Sequence, residues 1–135
     1  MDNFFSEEAY AKMILELLCR FPSFQKVGAG AYKPGIANME FADQLMGHPH
    51  RRYKVIHVAG TNGKGSTCAY MNSVLTEAGI KTGMFTSPHL VSIRERVRIN
   101  HELISEQQLI RVYEEFIEKI DKYNRSRQRK YAPTF

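Results

Sequence analysis

Residues 54–67 have the sequence KVIHVAGTNGKGST, and this stretch decides the predicted fold. The segment Lys54–Ala59 is mostly apolar and β-branched, which is typical of a buried strand. Gly60–Gly65 follows as a glycine-rich turn, Ser66–Ala78 predicts a helix, and Lys81–Thr86 predicts a second strand. A strand, turn, helix and strand in this order predict a βαβ unit, whose two strands are parallel. The chain is therefore predicted to have an α/β fold.

The glycine-rich turn has the composition of a phosphate-binding loop (P-loop). Glycine lets backbone N–H groups approach phosphate oxygens without interference from a Cβ atom, and the start of the next helix adds partial positive charge. Lys64 can reach the β- and γ-phosphates. The fit to the general G-x-x-x-x-G-K-[ST] pattern is incomplete, because Val58 replaces the first glycine and the hydroxyl residue comes one position late, at Ser66. The alternative is a plain strand-to-helix turn with a solvated Lys64.

Further helices are predicted on both sides of this unit. Ser6 precedes acidic residues and an apolar helical repeat, so it is predicted to cap a first helix that ends at Phe21-Pro22. The glycine-containing segment 23–35 predicts a loop, and Ile36–Met46 predicts a second helix that stops at Gly47.

The second half of the chain predicts a hairpin and a long helix. Val97–Ile104 alternates between apolar and polar residues and predicts a hairpin that turns at Asn100-His101. Ser105 is predicted to cap the helix, with Glu106 in its first turn. The apolar face of this helix is predicted to be formed by Leu109, Val112, Phe116 and Ile120.

The composition excludes several classes of protein. Of the 135 residues, 43% are hydrophobic and 24% charged, which is close to the average of a globular protein. No apolar run approaches the roughly 20 residues of a membrane span, and the acidic N-terminus does not resemble a secretory signal. Cys19 and Cys68 lie far apart and are predicted to be small buried hydrophobes in a reducing compartment. We therefore expect a cytoplasmic protein that does not bind membranes.

The net charge of +5 raises the question of nucleic-acid binding. Much of the excess positive charge lies in one segment, Lys119–Lys130. Neither an aromatic stacking pattern nor a zinc-finger spacing accompanies it. A solvated helix end or loop is the preferred interpretation, so no nucleic-acid partner is expected, and a basic nucleic-acid binder is kept as a rival.

Three strings together resemble the folylpolyglutamate synthase/dihydrofolate synthase family, which belongs to the Mur ligase superfamily. The segment His57–Ser66 is similar to the variant phosphate loop of that family, including its departures from the general pattern. Thr86–Leu90, followed by Glu95–Asn100, resembles a second motif, and Pro133–Phe135 resembles the start of a third. The resemblance implies a P-loop-containing parallel sheet with flanking helices, that is, a truncated Mur-ligase-like ATPase domain.

The resemblance also implies roles for individual residues. Lys64 is expected to be catalytic, and Ser87 is expected to ligate Mg²⁺ through its hydroxyl, a hard oxygen donor; the alternative for Ser87 is that it only ends a strand. Arg96 is expected to contact an anionic substrate, with an ion pair to Glu95 or another acid as the alternative. His57 is expected to be a core residue. The ATP-binding residues are expected to be Thr61, Asn62, Gly63, Lys64, Gly65 and Ser66, and Thr134 and Phe135 are expected to contact the pterin substrate.

By this resemblance, the activity is the ATP-dependent addition of L-glutamate to dihydropteroate or reduced folates through an acyl phosphate. Residues 1–135 are expected to be the N-terminal part of the ATP-binding ligase domain, with the rest of that domain and a C-terminal domain beyond them. This segment alone is expected to be inactive and to self-associate, whereas the full-length enzyme is expected to be a monomer. The alternatives are a Mur-type amino-acid ligase of cell-wall synthesis and a non-catalytic nucleotide-binding module.

Overall fold

The computed structural model describes residues 2–21, 35–126 and 131, which divide into two compact units. The first unit comprises Met1–Val55 and Ile110–Phe135, and the second comprises Ile56–Leu109. In the described part of the chain, no helix is both long enough and apolar enough to cross a bilayer.

The first unit is built from helices. Helix α1 (Asp2–Arg20) begins before Ser6, so the prediction that Ser6 caps it is wrong. Helix α2 (Ala37–Leu45) agrees with the prediction, since the chain leaves it through Gly47 at φ 76°. A 3-10 helix (Pro49–Arg52) follows.

Aromatic and apolar side chains hold the first unit together. Its buried apolar residues, among those described, come from α1, from the residue that follows α1 and from the helix Glu106–Arg125; they are Met13, Phe21, Tyr113 and Ile120. The Phe41 ring of α2 lies 4.7 Å from the Tyr123 ring and 4.5 Å from the Tyr131 ring, measured between centroids. The Tyr131 hydroxyl also donates a hydrogen bond to the Asn38 carbonyl at 2.8 Å. These contacts pack α2 within this unit.

The second unit contains helix α3 (Lys64–Glu77) and an antiparallel sheet of three short strands. The strands are β1 (Gly83–Phe85), β2 (Val97–Ile99) and β3 (Glu102–Leu103), in the order β1-β2-β3. Residues 97–104 form the predicted hairpin, with Asn100 at φ 56° in its turn. A second 3-10 helix (Ile93–Arg96) precedes β2.

The predicted βαβ unit is wrong for the described residues. Lys54–Ala59 forms no strand, and Val55 and Ile56 are 64% and 62% exposed instead of buried. The predicted strand Lys81–Thr86 is shortened to β1, and its partner is β2, which runs antiparallel to it. A strand needs a neighbour to accept and donate its ladder hydrogen bonds, and no described strand lies beside Lys54–Ala59.

Helix α4 (Glu106–Arg125) begins in the second unit and continues in the first. Ser105 caps it as predicted: its Oγ accepts a hydrogen bond from the Gln108 N–H at 3.1 Å, and the Gln108 Oε1 accepts one from the Ser105 N–H at 3.1 Å. The predicted apolar face is correct for Ile120, which is 1% exposed, and wrong for Val112, which is 54% exposed.

Candidate functional site

The P-loop residues form a turn that leads directly into helix α3. Gly60 has φ 152° and Gly63 has φ 77°, values that favour glycine over residues with a Cβ atom. Helix α3 begins at Lys64, two residues earlier than predicted, with Gly63 as its N-cap. The segment is therefore a glycine-containing turn that ends in a helix N-terminus, although the strand expected before it is not formed.

The start of α3 presents backbone donors to solvent. No side chain caps this end of the helix, and the first N–H groups of any helix lack intrahelical acceptors. The first intrahelical bond here runs from the Thr67 N–H to the Gly63 carbonyl at 2.9 Å. The N–H groups of Lys64, Gly65 and Ser66 come before it, in the position where helices bind anions.

Lys64 is exposed and folds back over the turn. Its Nζ donates hydrogen bonds to the carbonyl oxygens of Gly60, at 2.5 Å, and Thr61, at 2.9 Å. These carbonyls position the ammonium group directly above the turn. A phosphate bound at the α3 N-terminus would compete with these carbonyls for hydrogen bonds from the Lys64 ammonium group. The phosphate would be favoured, because ionised acceptors make the stronger hydrogen bonds.

Substitutions at Gly63 and Gly65 can distinguish the effect of backbone strain from that of steric interference with a bound phosphate. A Cβ atom at either Gly63 or Gly65 would meet nothing within 4 Å, but only Gly63 has a left-handed φ. Gly63→Ala should lower the free energy of unfolding by about 1–2 kcal/mol. Gly65→Ala should leave it unchanged or raise it by up to about 1 kcal/mol, since alanine favours helices. Both substitutions should also weaken ATP binding. Calorimetry measures the ATP affinity, and chemical denaturation measures the free energy of unfolding. An unchanged ATP affinity in Gly65→Ala would contradict the expectation that a phosphate approaches this residue closely.

Ser87, the expected Mg²⁺ ligand, is exposed just beyond the end of β1. The preceding Thr86 N–H donates to the Arg96 carbonyl at 2.9 Å, which extends the pairing of β1 and β2 by one residue. The peptide bond between Ser87 and Pro88 is cis. The hydroxyl is a suitable hard donor for Mg²⁺, but one such ligand is not a complete site, and phosphate oxygens and water usually supply the others.

Arg96 makes a hydrogen bond to a histidine. Its Nε donates to the Nδ1 of His89 at 2.8 Å. The Glu95 carboxylate instead accepts hydrogen bonds from three successive backbone N–H groups, at 2.9 Å from Leu90, 3.0 Å from Val91 and 2.7 Å from Ser92. Glu95 thus fixes residues 90–92 of the segment that follows Ser87, and Arg96 contacts His89 in the same segment.

The three backbone hydrogen bonds from Leu90, Ser92 and Val91 lower the pKa of Glu95 below its ordinary value of 4.5. A carboxyl group with a lowered pKa stabilises the fold above its ordinary pKa, and this contribution is lost as the pH falls through the folded value. The amide resonances of Leu90–Ser92 should therefore titrate together below pH 4.5. In Glu95→Gln this transition should be missing, while Glu102→Gln should retain it. A transition that persists in Glu95→Gln would refute this role.

A polar network missed by the sequence reasoning holds α3 against the hairpin. Asn72 is 8% exposed; its Nδ2 donates to the Asn100 carbonyl at 2.6 Å, and its Oδ1 accepts from the Thr82 hydroxyl at 2.6 Å. The Thr82 N–H donates to the Asn100 Oδ1 at 3.0 Å, and the Thr82 hydroxyl lies 3.0 Å from that of Thr76. The network fixes the helix whose first turn carries Lys64.

Several other expected residues are placed as follows. Thr134 and Phe135, the expected pterin contacts, lie outside the described residues. His57 is exposed, so the prediction that it is a core residue is wrong. The reason is that the predicted strand containing it does not form. Both cysteines are free thiols, but Cys19 is exposed and Cys68 half-buried, so neither is the buried hydrophobe that was predicted.

Sequence comparison identifies relatives of part of the chain. No protein-family model matches the chain. It is 45% identical over 76 residues to the dihydrofolate synthase/folylpolyglutamate synthase of Bacillus subtilis, a match that covers 56% of this chain and 18% of that protein. It is 59% identical over 54 residues to the mitochondrial folylpolyglutamate synthase of Homo sapiens, covering 40% of this chain and 9% of that protein. The chain thus spans less than a fifth of these relatives.

Structure comparison extends the similarity to nearly the whole chain. The folylpolyglutamate synthase of Thermotoga maritima matches with a TM-score of 0.78 and 30% identity, over 95% of this chain and 27% of that one. The Mycobacterium tuberculosis folylpolyglutamate synthase complexed with ADP matches with a TM-score of 0.79 and 28% identity, over 96% of this chain and 27% of that one. In sequence and in fold, the chain is therefore similar to a segment of the folylpolyglutamate synthase/dihydrofolate synthase ligases, which confirms the resemblance of its motifs.

Proposed function

We propose that this chain is the N-terminal part of the ATP-binding domain of a ligase that adds L-glutamate to dihydropteroate, to reduced folates or to both. The observation that carries the proposal is the turn Gly60–Gly63 ending in helix α3, with Lys64 held over it by two carbonyls. The similarity to folylpolyglutamate synthases, one of them complexed with ADP, supports the same assignment. A cytoplasmic location is also proposed, although the human relative is named as mitochondrial.

The turn is suited to hold the triphosphate of ATP. The N–H groups at the start of α3 would face the phosphate oxygens, and the open space above Gly65 would let them approach closely. Lys64 would exchange its carbonyl contacts for the β- and γ-phosphates. The Thr61 and Asn62 positions belong to the same turn, and Ser66 lies in the first turn of α3. These residues form the proposed ATP site.

The proposed reaction proceeds in two steps. A carboxylate oxygen of the acceptor attacks the γ-phosphorus, the bond to the bridging oxygen breaks, and ADP leaves. The amine of glutamate then attacks the acyl carbon, expels inorganic phosphate and loses a proton to give the amide. The first step is needed because an ionised carboxylate is a poor acylating agent.

The chain's own residues would contribute positioning and charge. Lys64 and the α3 amides would stabilise negative charge on the phosphoryl group as it moves. Mg²⁺, when bound with Ser87 as one ligand, would neutralise further phosphate charge. Glu95 holds the segment that follows Ser87, and this would keep the hydroxyl near the phosphates. Arg96 is proposed to orient His89 beside the anionic substrate, rather than to bind that substrate freely.

The test uses the whole gene product with ATP, Mg²⁺ and glutamate. Phosphate release is compared with dihydropteroate, with tetrahydrofolate and without either. Release that requires one of the two pterins would support the proposal and identify the preferred acceptor. Release without a pterin would favour a Mur-type ligase or another ATPase, and ATP binding without release would favour a nucleotide-binding module.

A further inference from the structure

Two histidines and an aspartate converge at the end of helix α2. The Asp43 carboxylate accepts hydrogen bonds from the Nδ1 atoms of His48 and His50, each at 2.6 Å and each on a different oxygen. The ligand atoms of these three side chains lie within 4.8 Å of one another, which is close enough to share a metal ion. No other group of three or more such side chains is found across residues 2–21, 35–126 and 131. We propose that Asp43, His48 and His50 bind a divalent transition-metal ion such as Zn²⁺.

The backbone directs the three side chains to one point. The chain turns sharply after α2, and the His48 N–H donates to the Asp43 carbonyl at 2.8 Å. His48 has φ 55° and ψ 55°, a left-handed conformation that histidine tolerates better than most residues. Pro49 then begins the first 3-10 helix, which returns His50 to the second carboxylate oxygen. All three ligands come from within one short segment, so binding requires no distant element to move.

The donor set and its spacing suit Zn²⁺ better than Mg²⁺. Two imidazole nitrogens and a carboxylate oxygen are typical of zinc, whereas Mg²⁺ prefers oxygen ligands alone. Bond lengths near 2.1 Å place the ligands of a tetrahedral ion about 3.3 Å apart. The two contacts of 2.6 Å between Asp43 and the histidines would therefore have to open by less than 1 Å, and the two histidine nitrogens already lie within 4.8 Å of each other.

The exposure of the cluster leaves room for an ion and for a further ligand. The side chains of His48 and His50 are 36% and 53% exposed, and that of Asp43 is 21% exposed. The Asp43 carboxylate can bind the ion as one ligand, with water in the open position.

The experiment titrates the untagged protein with Zn²⁺ in the presence of excess Mg²⁺ and measures binding by calorimetry. One Zn²⁺ per chain is expected. Loss of a residue that only supports a metal ligand costs about 10- to 100-fold in affinity, so loss of two direct ligands in the double variant H48N/H50Q should cost at least about 100-fold. Asparagine is chosen at residue 48 because it also tolerates the left-handed backbone.

Matched controls are available in the same chain. H57Q removes an exposed histidine, and H101Q removes one that faces a single carboxylate, with 3.5 Å between His101 Nε2 and Glu77 Oε1. Both variants should bind Zn²⁺ as the unaltered protein does. Because H48N/H50Q could fail to fold, the ring nitrogen resonances of the unaltered protein are followed as well; those of His48 and His50 should shift with one equivalent of Zn²⁺. Absence of these shifts, or undiminished binding by a folded H48N/H50Q, would overturn the proposal.

Discussion

Lys64→Ala should lower the ligase rate of the whole protein by about 100- to 1,000-fold, the usual cost of removing one group that stabilises transition-state charge. The side chain lies above the P-loop turn and contacts the carbonyls of Gly60 and Thr61. In the proposed reaction, it would follow negative charge from the bound triphosphate to the acyl phosphate. The measurement is glutamate-dependent phosphate release at saturating ATP.

Lys81→Ala is the matched control for this substitution. Lys81 is also exposed and belongs to the same unit of the fold, but it lies beyond the end of α3. Its loss should leave the rate within about twofold, because exposed charges distant from a site contribute little. Equal rates for Lys64→Ala and the unaltered protein would remove Lys64 from the mechanism, whereas equal losses in both variants would indicate a general effect of lost positive charge.

Asn72→Leu should lower the free energy of unfolding by at least about 1–3 kcal/mol, because it leaves a buried polar group without its partner. The Asn100 carbonyl would lose its bond to the Asn72 Nδ2, and the Thr82 hydroxyl would lose an acceptor. Chemical denaturation gives the size of the effect. Hydrogen exchange should localise it, with faster exchange in α3 and β1 than in α2.

Ser73→Leu introduces the same side chain at the next position of α3, which is exposed. It should change the free energy of unfolding by no more than about 0.5 kcal/mol, as is usual for surface substitutions. If Asn72→Leu were as mild as Ser73→Leu, the hydrogen-bond network would not be what fixes α3 on the hairpin.

Several helix boundaries were predictable because their signals are local, although α1 begins before Ser6 and α3 begins before Ser66. Gly47 ends α2, Ser105 caps α4 and the residues before Gly79 end α3, as the sequence indicates. The turn at Asn100 was likewise visible in the alternation of residues 97–104. Each of these signals acts within about one turn of the chain, so no knowledge of the tertiary structure is needed.

The predicted strand at Lys54–Ala59 was wrong because a strand is not a local structure. Its apolar, β-branched composition fits a buried strand, but among the described residues no neighbouring strand pairs with it, and it is exposed. The partner of β1 could not be deduced either, because it lies in the hairpin rather than before α3.

The candidate site also contains residues that local sequence signals predict and residues whose contacts depend on the tertiary structure. The turn at Gly63 was predictable because the glycine signal is local, although α3 begins at Lys64 and not at Ser66 as predicted. Asn72 was not, because its partners are 10 and 28 residues away and an asparagine inside a helix carries no signal of such contacts. The cluster of Asp43, His48 and His50 was overlooked, although the two histidines follow Asp43 by only 5 and 7 residues. Two histidines around a proline after a helix stop are a signal that could have found it.

The most direct test of the proposed ligase activity follows oxygen from the acceptor into phosphate. The whole protein is incubated with ATP, Mg²⁺, glutamate and an acceptor whose carboxylate oxygens carry a heavy-oxygen label. If an acyl phosphate forms and the amine of glutamate displaces it, each phosphate released should contain one labelled oxygen, and the acceptor should gain one glutamate by mass spectrometry. Unlabelled phosphate together with an unchanged acceptor would contradict the account.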